Sequence, residues 1–340
     1  MKNSLLLIIL SSLPLFSCSS SGSGHSDIIL PSNPDTSIVS GSPIYLADPT
    51  IFHDVDSSTY YLYGTSSDEG FITYKSKDLK VWKGPCGQID GGYVLTKNTS
   101  FGVSCFWAPQ VFKFRSKYYI VYCAARDLST ASQQIAIAES DSPEGPFSQV
   151  NKTCIPANCQ EIDPFVFFDD NGKTYLYYVK EIDRNAIYVS QMNDSMDSLD
   201  EKTTTLCIKS ASSGWENVKG NSWSVAEGPT VIKKDGVYFL FYSANDYTYP
   251  QYAVGYATAN SPLGPWTKHS GAILDHTIIN ANGTGHGDIF SDTNGNMWYV
   301  FHTHNSLTQV SPRRTAIIQL QYLNGDFSVI PNTFRYLYSK

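Results

Sequence analysis

Beyond residue 40 the chain is patterned as short apolar runs, rich in aromatics and separated by polar turns. Five of these runs are Tyr60-Tyr-Leu-Tyr63, Tyr118-Tyr-Ile-Val-Tyr122, Tyr175-Leu-Tyr-Tyr178, Tyr238-Phe-Leu-Phe-Tyr242 and Trp298-Tyr-Val-Phe301. Their aromatic and β-branched content predicts strands. Each is preceded by a related motif: Asp48-Pro-Thr-Ile-Phe52, Ala108-Pro-Gln-Val-Phe112, Asp163-Pro-Phe-Val-Phe167, Gly228-Pro-Thr-Val-Ile232 and His286-Gly-Asp-Ile-Phe290. The motif returns roughly every 55–65 residues. Hairpin turns stand between motif and aromatic run, as at Asp169-Asp-Asn-Gly172, Lys234-Asp-Gly236 and Asn294-Gly295. A third strand is predicted in each unit at Phe71 to Tyr74, Gln134 to Ala138, Ala186 to Val189, Tyr252 to Tyr256 and Ala316 to Leu320. Units of this length with three or four strands are propeller blades. The prediction is an all-β, five-bladed β-propeller forming a single domain over residues 40–340. A β-sandwich would not explain a fivefold return of one motif.

Composition agrees. Charged residues make up 16% of the chain and aromatics 14%, against about 25% charged in typical soluble chains. That excludes a disordered chain and disfavours long surface helices. The net charge is −7 and no Lys/Arg cluster occurs, so no nucleic-acid partner is expected.

The first residues read differently. Met1-Lys2-Asn3 is followed by an apolar run through Phe16, too short to span a bilayer and typical of an export signal. Leu15-Phe16-Ser17-Cys18 resembles a bacterial lipoprotein box, which implies cleavage after residue 17 and acylation of Cys18. Residues 18–39 then form a Ser/Gly-rich tether. The expected product is exported and lipid-anchored at the cell envelope, with Ser19 suited to outer-membrane sorting. The oxidising compartment allows disulfides, and Cys154 and Cys159 are the best-spaced pair.

The repeat also exposes its own exceptions. The motif opens the innermost strand of each blade, at the mouth of the central channel. Asp48, Asp163 and Glu227 place carboxylates there, where burial and mutual repulsion are costly. An Asp-Pro alone opens turns; three acids gathered at one mouth point to a site.

The ordered set Ala47-Asp48-Pro49, Trp107-Ala-Pro-Gln110, Glu161-Ile-Asp-Pro164, Ala226-Glu-Gly-Pro229 and Gly283-Thr-Gly-His-Gly287 resembles glycoside hydrolase family 43 over about residues 44–325. The resemblance implies an inverting enzyme on arabinofuranosides and xylosides, with Asp48 as general base, Glu227 as general acid and Asp163 tuning the acid. It further implies substrate contacts from His286 on the channel axis and from Arg314, with Arg313 as the neighbouring alternative. Trp107 is either a sugar-stacking wall or an aromatic packed between blades. The resemblance implies no required cofactor, and allows a structural Ca2+ in the channel near His286. The expected activity is that of an exo-acting α-L-arabinofuranosidase or β-xylosidase, working as a monomer on plant-derived glycans. An endo-arabinanase and a non-catalytic glycan-binding propeller are the alternatives; the latter would have lost Asp48 or Glu227. The anchor carries its own test: mature protein should sediment with membranes, Cys18→Ala should release it, and wild-type protein found wholly in the soluble fraction would refute the anchor.

Overall fold

A computed structural model describes residues 41–128, 132–149, 155 and 160–340. The signal, the tether, Cys18 and the Cys154/Cys159 pair lie outside the described residues. Cys86, Cys105, Cys123 and Cys207 are free thiols.

The architecture is a five-bladed β-propeller. The innermost strands are Ala47–Asp54, Ser104–Phe114, Glu161–Phe168, Ala226–Lys234 and Gly285–Ser291. Each pairs antiparallel with a second, aromatic strand: Thr59–Thr65, Lys117–Ala125, Thr174–Glu181, Val237–Ala244 and Met297–Thr303. Third strands follow outward in all five blades. Blade one departs from the sequence reading: Phe71 pairs with Leu95 in a separate two-stranded ribbon, and the third strand is Tyr74–Ser76. The outer edge of blade one, Trp82–Lys83, is extended in parallel by the C-terminal pair Tyr338–Ser339, which also pairs with Ser42–Pro43. Both ends of the described chain therefore help to close the ring between blades five and one.

Strands alternate their side chains between two faces, and here both faces of a blade are covered by neighbouring blades. The aromatic strands thus supply inter-blade core. Tyr63, Phe71, Phe106 and Tyr122 fill the junction of blades one and two. Phe239, Phe241, Tyr256 and Phe301 fill that of blades four and five, and Tyr60, Trp298 and Val300 that of blades five and one.

The repeated motif has a specific backbone form. Asp48, Ala108, Asp163, Gly228 and His286 all have left-handed backbone, with φ of 48, 46, 54, 60 and 46°. The strand register slips at each of these positions, which marks a bulge. Four of the five bulges carry Pro next, tolerated because a bulge residue donates no ladder hydrogen bond. Left-handed backbone is costly for residues with a Cβ, so each position needs support.

That support comes from the preceding blade. The Ala108 amide donates to Thr65 Oγ1 at 3.0 Å, the His286 amide to Ser243 Oγ at 2.8 Å, and the Asp48 amide to His302 Nδ1 at 3.2 Å. The Asp163 amide faces the Cys123 sulfur. Thr65, Cys123, Ser243 and His302 occupy equivalent positions near the ends of their second strands. Blade three has Val179 there, which cannot accept, and the Gly228 amide donates instead to Asp163 Oδ2 at 3.1 Å. Deeper in the channel, Thr50 Oγ1 donates to Asp288 Oδ2 at 2.6 Å and Thr230 Oγ1 to the Gly287 carbonyl at 2.9 Å. Gln110 exchanges two hydrogen bonds with the Val166 backbone. Every junction between neighbouring blades is hydrogen-bonded near the axis.

Blade five alone has Gly where the others have Pro. A Cβ on Gly287 would stand 1.7 Å from the Val300 carbonyl oxygen, an overlap only backbone movement relieves. Gly287→Ala should therefore lower stability by about 1–3 kcal/mol, the usual range for overpacking, measured by urea unfolding. An unchanged midpoint would show that the bulge of blade five is not tightly held.

Candidate active site

The bulges turn five residues toward one channel mouth. Asp48, Ala108, Asp163, Gly228 and His286 line it together with the residues that follow them. Asp48 Oδ1 and Asp163 Oδ2 lie 3.4 and 3.9 Å from the same imidazole nitrogen, His286 Nδ1. His286 packs over Gly228, where a Cβ would come within 2.9 Å of the ring. Glycine at 228 thus serves both the positive φ and the close approach of His286.

Asp48 is only 8% exposed. Its Oδ2 accepts from Thr65 Oγ1 at 2.7 Å and its Oδ1 from Arg313 Nη1 at 3.0 Å. Burial opposes its charge, but the Arg313 guanidinium, with help from the Thr65 hydroxyl, outweighs burial and holds the carboxyl well below the usual carboxylate range. His302 is fully buried, and burial drives its pKa well below the ordinary value. The buried, neutral imidazole receives the Asp48 amide at Nδ1, and its Nε2 lies 3.4 Å from Arg313 Nη1.

Glu227 stands one residue before the left-handed Gly228, so it is offset from the repeat-equivalent pair Asp48 and Asp163. Its counterparts are Ala47, Trp107, Ile162 and Gly285. Glu227 Oε1 accepts from Tyr252 OH at 2.8 Å and Oε2 from Asn185 Nδ2 at 3.1 Å. Burial, reinforced by the Asp48 charge, pushes Glu227 up to about 7 against the pull of these two donors. Asp163 is likewise pushed well up, by burial first and then by the charges of Glu227 and Asp48. Asp163 is thus no simple ionised neighbour: it and Glu227 form a coupled pair that resists carrying two negative charges.

The remaining sequence candidates fall as follows. Trp107 is half-buried against the core of blades two to four, at the blade-two position that Glu227 holds in blade four. Arg314 does not reach the mouth: its Nη2 donates to Tyr338 OH at 2.9 Å and its guanidinium stacks on Tyr336 at 3.5 Å. The arginine at the site is Arg313, because adjacent residues at the start of a strand project to opposite sides. Asp288 sits deeper, tying blade five to blade one, and burial raises it to about 6. Among the described residues no group of three or more His, Cys, Asp or Glu side chains is arranged to hold a metal ion. Calcium takes six to eight oxygen ligands, so the side chains around His286 do not by themselves form such a cage.

Four residues of the site, Thr65, His302, Tyr252 and Asn185, were not singled out from the sequence. Tyr252 joins the two ends of the constellation, with its hydroxyl on Glu227 and its ring stacked 5.7 Å from that of His302.

The family model for glycosyl hydrolases family 43 matches residues 41–327. The chain is 25% identical over 321 residues to a β-D-galactofuranosidase, xynD, of Aspergillus niger, covering 86% of this chain and 84% of that protein. It is 25% identical to xylosidase/arabinosidase 43B of Humicola insolens, covering 89% of this chain but only 54% of that longer protein. A solved structure described as an endo-1,4-β-xylanase from Bacteroides thetaiotaomicron superposes with a TM-score of 0.76 at 38% identity, over 86% of this chain and 96% of that one. With the family match extending through strands of all five blades, the chain belongs to glycoside hydrolase family 43.

Proposed function

We propose that the protein is an inverting exo-glycosidase releasing pentose units, as an α-L-arabinofuranosidase or β-xylosidase, from plant-derived glycans. One observation carries the reading: at a single channel mouth Arg313 holds the Asp48 carboxyl ionised, while burial raises the Glu227 carboxyl to about 7. Environments that push two carboxyls apart in this way assign the base and the acid. The relatives described as a β-D-galactofuranosidase and an endo-1,4-β-xylanase add β-D-galactofuranosides and internal xylan bonds to the substrates worth assaying. Paired assays on nitrophenyl α-L-arabinofuranoside and β-D-xyloside, with arabino- and xylo-oligosaccharides to separate exo from endo cleavage, test the choice. Cleavage of neither pentoside would overturn the substrate reading. A binding-only role is disfavoured because Asp48 and Glu227 are both present and tuned. On the lipobox at Cys18 we further propose that the enzyme works as a lipid-anchored monomer at the cell envelope.

In the proposed reaction the Asp48 carboxylate takes a proton from a water as the water oxygen attacks the anomeric carbon. Glu227 donates its proton to the glycosidic oxygen, and the bond from the anomeric carbon to that oxygen breaks. The products are a sugar of inverted anomeric configuration and a free hydroxyl on the leaving group. Asp48 and Glu227 then exchange protons with solvent to reset. Inversion calls for carboxyls about 6.5–9.5 Å apart, leaving room for the water. Arg313 and Thr65 orient the base, and Tyr252 and Asn185 orient the acid.

The pH dependence follows in sign. Activity requires Glu227 protonated, so kcat/KM should fall as pH rises through about 7. Asp48 stays ionised far into acid, so no acid limb should appear down to about pH 4, near the ordinary carboxylate value. Arg313→Met removes the cation that holds Asp48 down and should bring an acid limb into the measured range. Arg314→Met, whose side chain lies on Tyr336 and Tyr338, should not. Asp163→Asn removes the carboxyl coupled to Glu227 and should move the alkaline limb to lower pH.

The two principal substitutions should differ in leaving-group dependence. Glu227→Gln should cost about 10²–10⁴-fold on natural glycans and much less on aryl glycosides, whose leaving group departs unprotonated. Asp48→Asn should depress both alike. The roles are reversed if Asp48→Asn shows the leaving-group dependence, and inversion is excluded if proton NMR finds the first product with retained configuration.

A further inference from the structure

The outer edge of blade one gathers lysines that the proposed reaction does not use. Lys75, Lys77, Lys80 and Lys83 come from one short segment. Lys340 joins them from the far end of the chain, its amide donating to the Trp82 carbonyl at 2.9 Å. No two are adjacent in sequence; the fold assembles them. Lys75 stands directly opposite Lys83 across two paired strands, a placement of like charges that costs stability. With Lys77, both line a hollow of about 830 Å3 whose other walls include Thr59, Tyr61 and Val81.

These charges are poorly compensated. Of the five, only Lys75 is in an ion pair among the described residues, with Glu144 at 2.8 Å. Lys77 Nζ donates to uncharged partners, the Ser57 carbonyl at 2.5 Å and Thr59 Oγ1 at 2.6 Å. Lys77, Lys80, Lys83 and Lys340 are all exposed. The acid lining the hollow, Asp78, is occupied: its Oδ1 accepts from the Lys80 and Val81 amides at 2.9 Å each and from the Ser76 hydroxyl at 3.1 Å. Lysines often guard an open sheet edge, but this edge is already covered by Tyr338–Ser339, which pairs onward with Ser42–Pro43. Uncompensated positive charge gathered in a chain of net charge −7 points to an anion from outside.

Two placements identify that anion. The chain enters the propeller at this edge, where Ser42–Pro43 lies one strand from Trp82–Lys83, so a lipid on Cys18 would be joined to the propeller here. The lysines also lie at the end of blade one away from the mouth. Its second strand runs from Thr59, which receives Lys77, to Thr65, which donates to Asp48, a span of about 20 Å at 3.2–3.4 Å per residue.

We propose that this lysine face docks on the anionic phospholipid surface in which the Cys18 lipid is embedded. The proposal rests on the lipobox reading for the nearness of the membrane, and on the lysines alone for the attraction. The lipid supplies retention. The lysines attract anionic headgroups, with the hollow receiving a headgroup phosphate, and so decide which side of the propeller faces the bilayer. The mouth, at the other end of the strand, then opens away from the membrane.

The test uses full-length Cys18→Ala protein, which carries no lipid, so that docking is read apart from anchoring. It should sediment with vesicles of equal parts phosphatidylglycerol and phosphatidylcholine, and at least tenfold less with vesicles of phosphatidylcholine alone. Binding should be lost in about 1 M salt, where the screening length falls to about 3 Å. Adding Lys77→Gln, Lys80→Gln and Lys83→Gln together should lower partitioning at least tenfold. The same charge change at exposed lysines of blade three, Lys173→Gln, Lys202→Gln and Lys209→Gln, should leave it nearly unchanged. Equal losses from the two triple variants would overturn the face, because net charge alone would then explain binding. Absence of vesicle binding would overturn it too. So would a first triple variant that loses binding to polygalacturonate and keeps binding to vesicles, which would assign the lysines to an acidic glycan. In acylated wild-type protein on the same vesicles, the amides of residues 77–83 should exchange hydrogen more slowly than in Cys18→Ala protein in solution; slowing at residues 303–313 beside the mouth instead would overturn the orientation. Should wild-type protein acquire no lipid, the anchor fails, and the vesicle binding of the Cys18→Ala protein alone decides the docking face.

Discussion

The left-handed bulge at the start of each innermost strand is the constraint on which the site depends. In four blades the bulged residue is not glycine, so its backbone is unfavourable in isolation. It is held because its amide is directed at the preceding blade, where Thr65, Cys123, Ser243 and His302 face the amides of Ala108, Asp163, His286 and Asp48. A buried amide without an acceptor would cost about 1–3 kcal/mol, so bulge and acceptor stabilise each other. The same bonds join blade to blade, which makes the positions of the site residues a property of ring closure and not of one sheet.

The chemistry arises where this ring departs from its own pattern. Blade three supplies Val179 where an acceptor is needed, and Asp163 Oδ2 takes the Gly228 amide in its place. That bond holds Asp163 beside the strand that carries Glu227. Blade five supplies His302, an acceptor large enough to reach the Tyr252 ring as well. Blade one supplies Thr65, whose hydroxyl accepts the Ala108 amide while donating to Asp48. Arg313 then provides the positive charge that lets a carboxyl this deeply buried remain ionised.

Much of this was legible in the sequence because the repeat is local. The Pro-containing motif and the aromatic run after it mark the inner two strands of each blade, and three acids near the motif mark the mouth. The motif already aligned Asp48 with Gly228 and put Glu227 one residue ahead; what the sequence could not show is the left-handed backbone that these aligned positions share. Nor did it separate Arg313 from Arg314, since one residue of register decides which faces the mouth. Phe71 read as a third strand because it is apolar and follows the second, but the sheet skips to Tyr74 and Phe71 goes to the ribbon with Leu95. His302 was recoverable: aligned by repeat it falls with Thr65 and Ser243, the ends of second strands that serve the next bulge. Asn185 and Tyr252 were not, because each opens or precedes an ordinary third strand and is selected only by its distance to Glu227.

On the proposed roles, the offset of Glu227 has a physical consequence for how base and acid divide their work. Residues at the bulge itself, Asp48, Ala108, Asp163 and His286, are all buried; one residue earlier, Ala47, Ile162 and Gly285 are buried too, but Trp107 and Glu227 are half-buried. In blades two and four, successive positions on one strand thus give a deep residue and one at the rim. A base that must remain ionised needs fixed partners, and the deep layer provides Arg313, Thr65 and the blade-to-blade bonds. An acid that must stay protonated, meet a leaving group and recover its proton from solvent needs partial burial with access, which the rim provides. Had Glu227 stood at the bulge, it would have competed with His286 for the space that only a glycine leaves open. The single-residue offset therefore lets one repeated backbone feature carry two carboxyls whose environments push them in opposite directions at one mouth.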